Sequence, residues 1–197
     1  MAENKIKYGL SKLAYAVAAI ASDNTATYGT PVDLPGAVSI SLSPQGEKND
    51  FYADNIKYWV GNSNTGYEGD LEVARLTEAF KKDILGFVVD NKGNLLEDVN
   101  APAVHFALLF QFEGDAKATR HVIYNCTATR SDTASNTKTE NIEPQTESVT
   151  ISAGAIHVAA LGANGMDIVK AESADATDST TYNGWFSTVY VPAGLSA

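Results

Sequence analysis

Three histidines, one cysteine and 24 acidic side chains are the groups in this chain that could do chemistry. His105, His121 and His157 stand far apart, without the spacing of a metal site or a catalytic triad. A turn centred on Asp115-Ala116 would set His105 opposite Cys126 and His121 opposite Phe110. A His–Cys pair is two ligands where zinc takes three or four, so no metal is expected. Gly-x-Ser-x-Gly elbows, glycine-rich phosphate loops and dinucleotide fingerprints are absent from the sequence. No catalytic residue or cofactor site is therefore expected, and the chain does not read as an enzyme. Glu47, Asp50 and Asp54 lack the spacing of a calcium loop and read as solvated loop charge. Asn125-Cys126-Thr127 has the form of a glycosylation acceptor, but it falls inside a patterned strand and is taken as a chance match.

The acidic signal that remains is a row. In the stretch FYADNIKYWVGNSNTGYEGDLEVAR, from Phe51 to Arg75, side chains alternate after Gly66: Tyr67, Leu71 and Val73 on one face, Glu68, Asp70 and Glu72 on the other. One face covers a core and the other carries fixed negative charge, either as plain solvent-facing surface or turned towards something it must repel. The element that must position the row is expected to be a hairpin. Two aromatic and β-branched runs flank Gly61-Asn62-Ser63-Asn64-Thr65-Gly66, which reads as an extended turn.

The rest of the chain reads mainly as strands. Leu13, Tyr15 and Val17 alternate within an apolar run that also imitates a secretory signal, and the strand is the preferred reading. Val38, Ile40 and Leu42 define a short strand, and Ser43 to Asp50 follows as a polar loop. Leu76 to Leu85 is the one convincing helix, with Thr77 as N-cap, Phe80 and Ile84 on one face, and Gly86 at the C-terminal cap. A hairpin turning at Asp90 to Asn94 follows it. The strongest hairpin pairs Val104–Glu113 with Arg120–Ala128 and should be central. Thr129 to Asn141 reads as a mobile loop, Glu147 to Ala153 as a strand, Ala155 to Leu161 as a strand or short helix, and Ala171 to Thr181 as a polar loop. Trp185 to Pro192 is aromatic enough to dock on the body. About nine strands and one helix make a mainly β protein, a β-sandwich or barrel with one flanking helix and long loops, in a single domain over 1–197. A net charge of −10 argues against general affinity for nucleic acid or anionic lipid. The lone cysteine permits no disulfide within the chain.

Several blocks, in this order, resemble the major tail proteins of long-tailed phages with non-contractile tails: KYGLSKLAYA, YGTPVDLPGAVS, FYADNIKYWV, GYEGDLEVA, FKKDILG, HFALLFQFEGD, TRHVIYNCTATR, EPQTESVTIS and WFSTVYVP. The resemblance spans about Lys5 to Pro192. Ser11-Lys12 and Phe87-Val88-Val89 depart from the residues expected there, and no appended immunoglobulin-like domain is expected. The resemblance implies a structural virion protein of the tail tube. Homohexameric rings would stack into a hollow tube through which DNA passes without specific binding. Partners would be further copies of the chain and other tail proteins, such as the tape measure and the terminator, with no membrane. Assembly would take place in the host bacterial cytoplasm.

Two surface expectations follow. Glu68, Asp70 and Glu72 would face the lumen, because a carboxylate wall does not hold a polyanion. The loops carrying Ser43, Pro44, Gln45 and Gly46, and Gly61, Asn62, Ser63 and Asn64, would bridge successive rings. Tyr52, Tyr58 and Trp59 would then be interface anchors or else ordinary core. The competing expectation is a β-sandwich ligand- or carbohydrate-binding or adhesin module, with Trp59, Trp185 and the tyrosines as stacking platforms.

Overall fold

The computed structural model describes residues 4–131, 133–137 and 144–195. Its strands and helices, in chain order, are β1 (Lys7–Ile20), β2 (Ala26–Tyr28), β3 (Val32–Asp33), β4 (Ala37–Gln45), β5 (Lys48–Ala53), β6 (Ile56–Asn62), β7 (Gly66–Val73) and α1 (Glu78–Asp83). Then come β8 (Phe87–Val89), β9 (Leu95–Glu97), β10 (Phe106–Gly114), β11 (Thr119–Ala128), β12 (Glu147–Gly154), β13 (Ile156–Val158), β14 (Met166–Ile168), β15 (Lys170–Glu172) and α2 (Ser179–Gly184). The protein is mainly β. Nine strands form one antiparallel sheet ordered β2-β1-β10-β11-β12-β7-β4, with β3 on β1 and β15 on β11.

The sheet is curled and open. Its last strand, β4, approaches β1 without hydrogen-bonding to it, so no barrel closes. Inside the curl lies the larger core, where Leu13 and Tyr15 of β1 meet Phe106, Leu108 and Phe110 of β10 and Leu71 and Val73 of β7. The other faces of β1, β10 and β11 carry a second core of Ala14, Ala16, Leu109, Val122 and Tyr124. That core is covered by Ile156, Val158, Leu161 and Trp185. Burial on both faces explains why β10 reads as a near-continuous apolar run.

Helix α1 behaves as its sequence dictates. Thr77 accepts from the Phe80 amide at 3.2 Å, Gly86 takes a φ of +73°, and Phe80 and Ile84 are buried. Six residues cannot hold a helix in water, so packing holds it. Phe80 sits edge-on between Tyr15 and Phe106, with centroids 5.1 and 6.0 Å away. The Tyr15 hydroxyl donates to Asp83 at 2.8 Å, and Lys81 and the Leu76 amide both reach Glu147 of β12.

The expected β8–β9 hairpin is present, its turn held by Asp90 accepting from the Lys92 and Asn94 amides at 2.8 Å. Two expectations are revised here. The polar loop expected over Ala171–Thr181 instead contributes β15 and the start of α2, a second helix capped by Asp178. Short polar segments carry too little periodicity to announce either. In the central hairpin Phe110 does oppose His121, but a bulge between Phe106 and Leu108 sets Cys126 opposite Phe106 rather than His105. Part of the loop expected over Thr129–Asn141 lies outside the described residues.

The largest revision concerns the opening hairpin. β6 does not fold back on β7. It pairs with β5 through a two-residue turn, Asp54-Asn55, both residues at positive φ, as the turn twist of tight hairpins requires. β7 pairs instead with β4 and β12. Between the two ladders, the Ser63 amide donates to Glu47 and the Thr65 amide to Gln45, both at 2.9 Å. The pairing of β4 with β7 thus runs on into β5 and β6, and residues 46–65 project from the sheet as a two-stranded arm.

Candidate functional site

The acidic row lies where its alternation places it. Glu68 and Asp70 are exposed and Glu72 is half-buried, while Leu71 and Val73 point into the core. The register gives the row its surroundings. Ser39, Ser41 and Ser43 of β4 oppose Glu72, Asp70 and Glu68, and on the other side Ser148, Thr150 and Ser152 of β12 oppose the same three. Directly opposed residues share a face. The outer surface is therefore three carboxylates between two columns of hydroxyls, and no lysine or arginine occurs in β4, β7 or β12.

The hydroxyls hold the carboxylates. Thr150 donates to Asp70 at 2.8 Å, and Thr146 and Ser39 donate to Glu72 at 2.6 and 2.9 Å. These two bonds, Thr146 first, lower the Glu72 pKa below the ordinary carboxylate value. Residues two apart along a strand are about 7 Å apart, inside the screening length of about 8 Å at physiological salt, so the row presents a joint negative field. Gly69 lets β4 come close: a Cβ there would run into the Ser41 carbonyl.

The arm is the second surface. Phe51, Tyr52, Ile56, Tyr58, Trp59 and Val60 are between 47% and 70% exposed, so Tyr52, Tyr58 and Trp59 are not core in the protomer. The ladder sorts the arm into two faces. Phe51 opposes Trp59 and Ala53 opposes Ile56, with the Trp59 indole lying over Gly61, where a Cβ would collide with it. On the other face Asp50 pairs with Lys57 at 2.6 Å and more loosely with Lys48 at 3.9 Å. Thus Asp50 is an ion-pair partner within a strand, not a loop charge.

The expected inter-ring loops are largely strand. Ser43, Pro44 and Gln45 end β4 and pair with Glu68, Tyr67 and Gly66, while Gly61 and Asn62 end β6 and pair with Asn49 and Lys48. Only Gly46, Ser63 and Asn64 lie between strands, and they form the root of the arm. The signal that would have found this is Asp54-Asn55, a turn dipeptide inside FYADNIKYWV. The richer glycine segment beside it drew the turn instead.

The other candidate groups lie apart. His105 bonds the Asn125 side chain at 2.7 Å, His121 stacks on Phe110 at 5.0 Å, and His157 meets Asp167 at 2.9 Å. Among the described residues no three potential metal ligands converge. Cys126 is fully buried, and burial pushes its thiol pKa well up. Trp185 is 2% exposed, with its Nε1 donating to the His121 carbonyl at 3.3 Å, so it cannot serve as a stacking platform. No helix among the described residues is long and apolar enough to cross a membrane. Comparison with known proteins found no matching family model and no matching curated protein.

Proposed function

We propose that this chain is a structural subunit of a phage tail tube, forming rings that stack into a hollow tube around passing DNA. The observation that carries the reading is the projecting arm, with large apolar side chains exposed on a two-stranded ribbon. A two-stranded ribbon is marginal by itself in water, and uncovered aromatic side chains of this kind mark interaction surfaces. An arm docking on a different patch of a second copy makes a head-to-tail contact, which extends into rings and filaments. The acidic face supports the second half of the reading. DNA carries one negative charge per about 1.7 Å of axis, so a wall with carboxylates and no cations offers it nothing to hold.

Electron microscopy of the purified protein tests this directly. Rings or tubes are expected at high protein concentration. A monodisperse monomer that binds a glycan through Trp59 would replace the assembly reading with that of a binding module.

A further inference from the structure

Arg120 is only 8% exposed, yet among the described residues no carboxylate forms an ion pair with it. Its Nε donates to Gln111 Oε1 at 3.0 Å, its Nη1 donates to the Tyr182 carbonyl, and its Cζ lies 3.8 Å from the Tyr182 ring centroid. Two neutral acceptors and two ring faces, that of Phe186 with its centroid 5.5 Å away being the second, solvate the charge without neutralising it. A buried cation in that state is costly unless an anion completes it.

Arg120 lines an open cleft of about 620 Å³, formed where the bulged part of β1 meets the β3–β4 link and the end of α2. Lys12 lines the same cleft. It stands at the bulge between Ser11 and Ala14 with a φ of +48°, a left-handed conformation that is strained for a non-glycine residue. Bulges re-aim side chains. It too has no ion pair among the described residues. Asp33 is the one carboxylate in the lining, and it pairs with neither cation. Phe186, Leu10 and Pro35 supply apolar wall. Glu113 lies outside the lining, where it accepts from Ser11 and Gln111 and attracts Lys12, so two cations face one carboxylate within the lining itself.

We propose that this cleft is a binding site for a carboxylate on a short aliphatic stem. The carboxylate bonds the Nη1–Nη2 end of the Arg120 guanidinium, where Nη1 keeps a second proton beside the one given to Tyr182 and Nη2 has no partner among the described residues. Lys12 closes over the carboxylate, and the stem packs on Leu10 and Pro35. A carboxylate suits the site because the planar guanidinium presents parallel donors to two oxygens. The chemistry has two sources, an acidic side chain of a second copy or a free small carboxylate.

Titration of glutarate into the protein at fixed ionic strength, followed by calorimetry and by amide shifts around residues 10–13 and 183–186, tests the site. Saturable binding is expected. Lys12→Gln, at an exposed position that leaves the core intact, should weaken it about 5- to 30-fold, the loss of one charge-assisted bond. Arg120→Lys should abolish it by removing the fork. If Arg120→Lys does not fold, Lys12→Gln carries the test. Absence of saturable binding, or equal binding by wild type and Lys12→Gln, overturns the proposal. Adding glutarate during assembly separates the sources. Inhibition that Lys12→Gln relieves assigns the site to a side chain of another copy, and binding without effect on assembly assigns it to a free carboxylate.

Discussion

Trp59→Ala tests the arm most sharply, because it separates the stability of the protomer from the stability of the assembly. Trp59 is 57% exposed. A tryptophan side chain presents up to about 250 Å², so about 140 Å² remains to be covered by a neighbour, worth at most about 3.5 kcal/mol at about 25 cal/mol per Å². Side-chain ordering on association lowers this to about 2–3 kcal/mol, the range of an interface hot spot. The critical concentration for assembly should then rise about 30- to 150-fold. Sedimentation across a series of total protein concentrations reads that value directly. Denaturant unfolding below the critical concentration should change by less than about 0.5 kcal/mol, as for an exposed surface substitution. Gly61→Ala, which drives a methyl group into the indole, should move the critical concentration in the same direction. An unchanged critical concentration in Trp59→Ala would show that the arm is not the assembly contact.

Replacing Glu68, Asp70 and Glu72 together with lysine should leave tubes intact by electron microscopy while DNA delivery falls; failure to assemble would place the row in an interface. The lowered pKa of Glu72 means that its contribution to stability is present above the ordinary carboxylate range and is lost as pH falls through its depressed value. Combining Ser39→Ala with Thr146→Val should return the Glu72 pKa towards normal, read by carboxyl carbon shifts in an acid titration. Phe80→Ala, at a fully buried ring between Tyr15 and Phe106, should cost about 3–5 kcal/mol in denaturant unfolding.

Much of the fold was legible because its signals are local. Thr77, Phe80, Ile84 and Gly86 mark one helix within ten residues, and the actual helix sits between Thr77 and Gly86. Strands β10 and β11 were legible from length and apolar density, down to the Phe110–His121 register. The bulge that moves Cys126 by one residue was not, because it arises from the twist of packed strands. The second helix was missed because its sequence, STTYNG, has no apolar stripe; Asp178 and docking of the adjoining Trp185 hold it in place.

By itself the sequence determined the mainly β character and the division of β7 into a core face and a carboxylate face, since a period of two leaves no other arrangement. Pairing was decided only by the tertiary structure. Whether an aromatic strand folds back on its predecessor or joins a distant strand depends on partners far along the chain, and two competing turn signals stood five residues apart. Exposure was decided there too. Tyr52, Tyr58 and Trp59 have the composition of core, and only their placement beyond the edge of the sheet turns them outward. The same holds for Arg120, whose place beside Gln111, Tyr182 and Lys12 around one cleft depends on strands and a helix far apart in the chain.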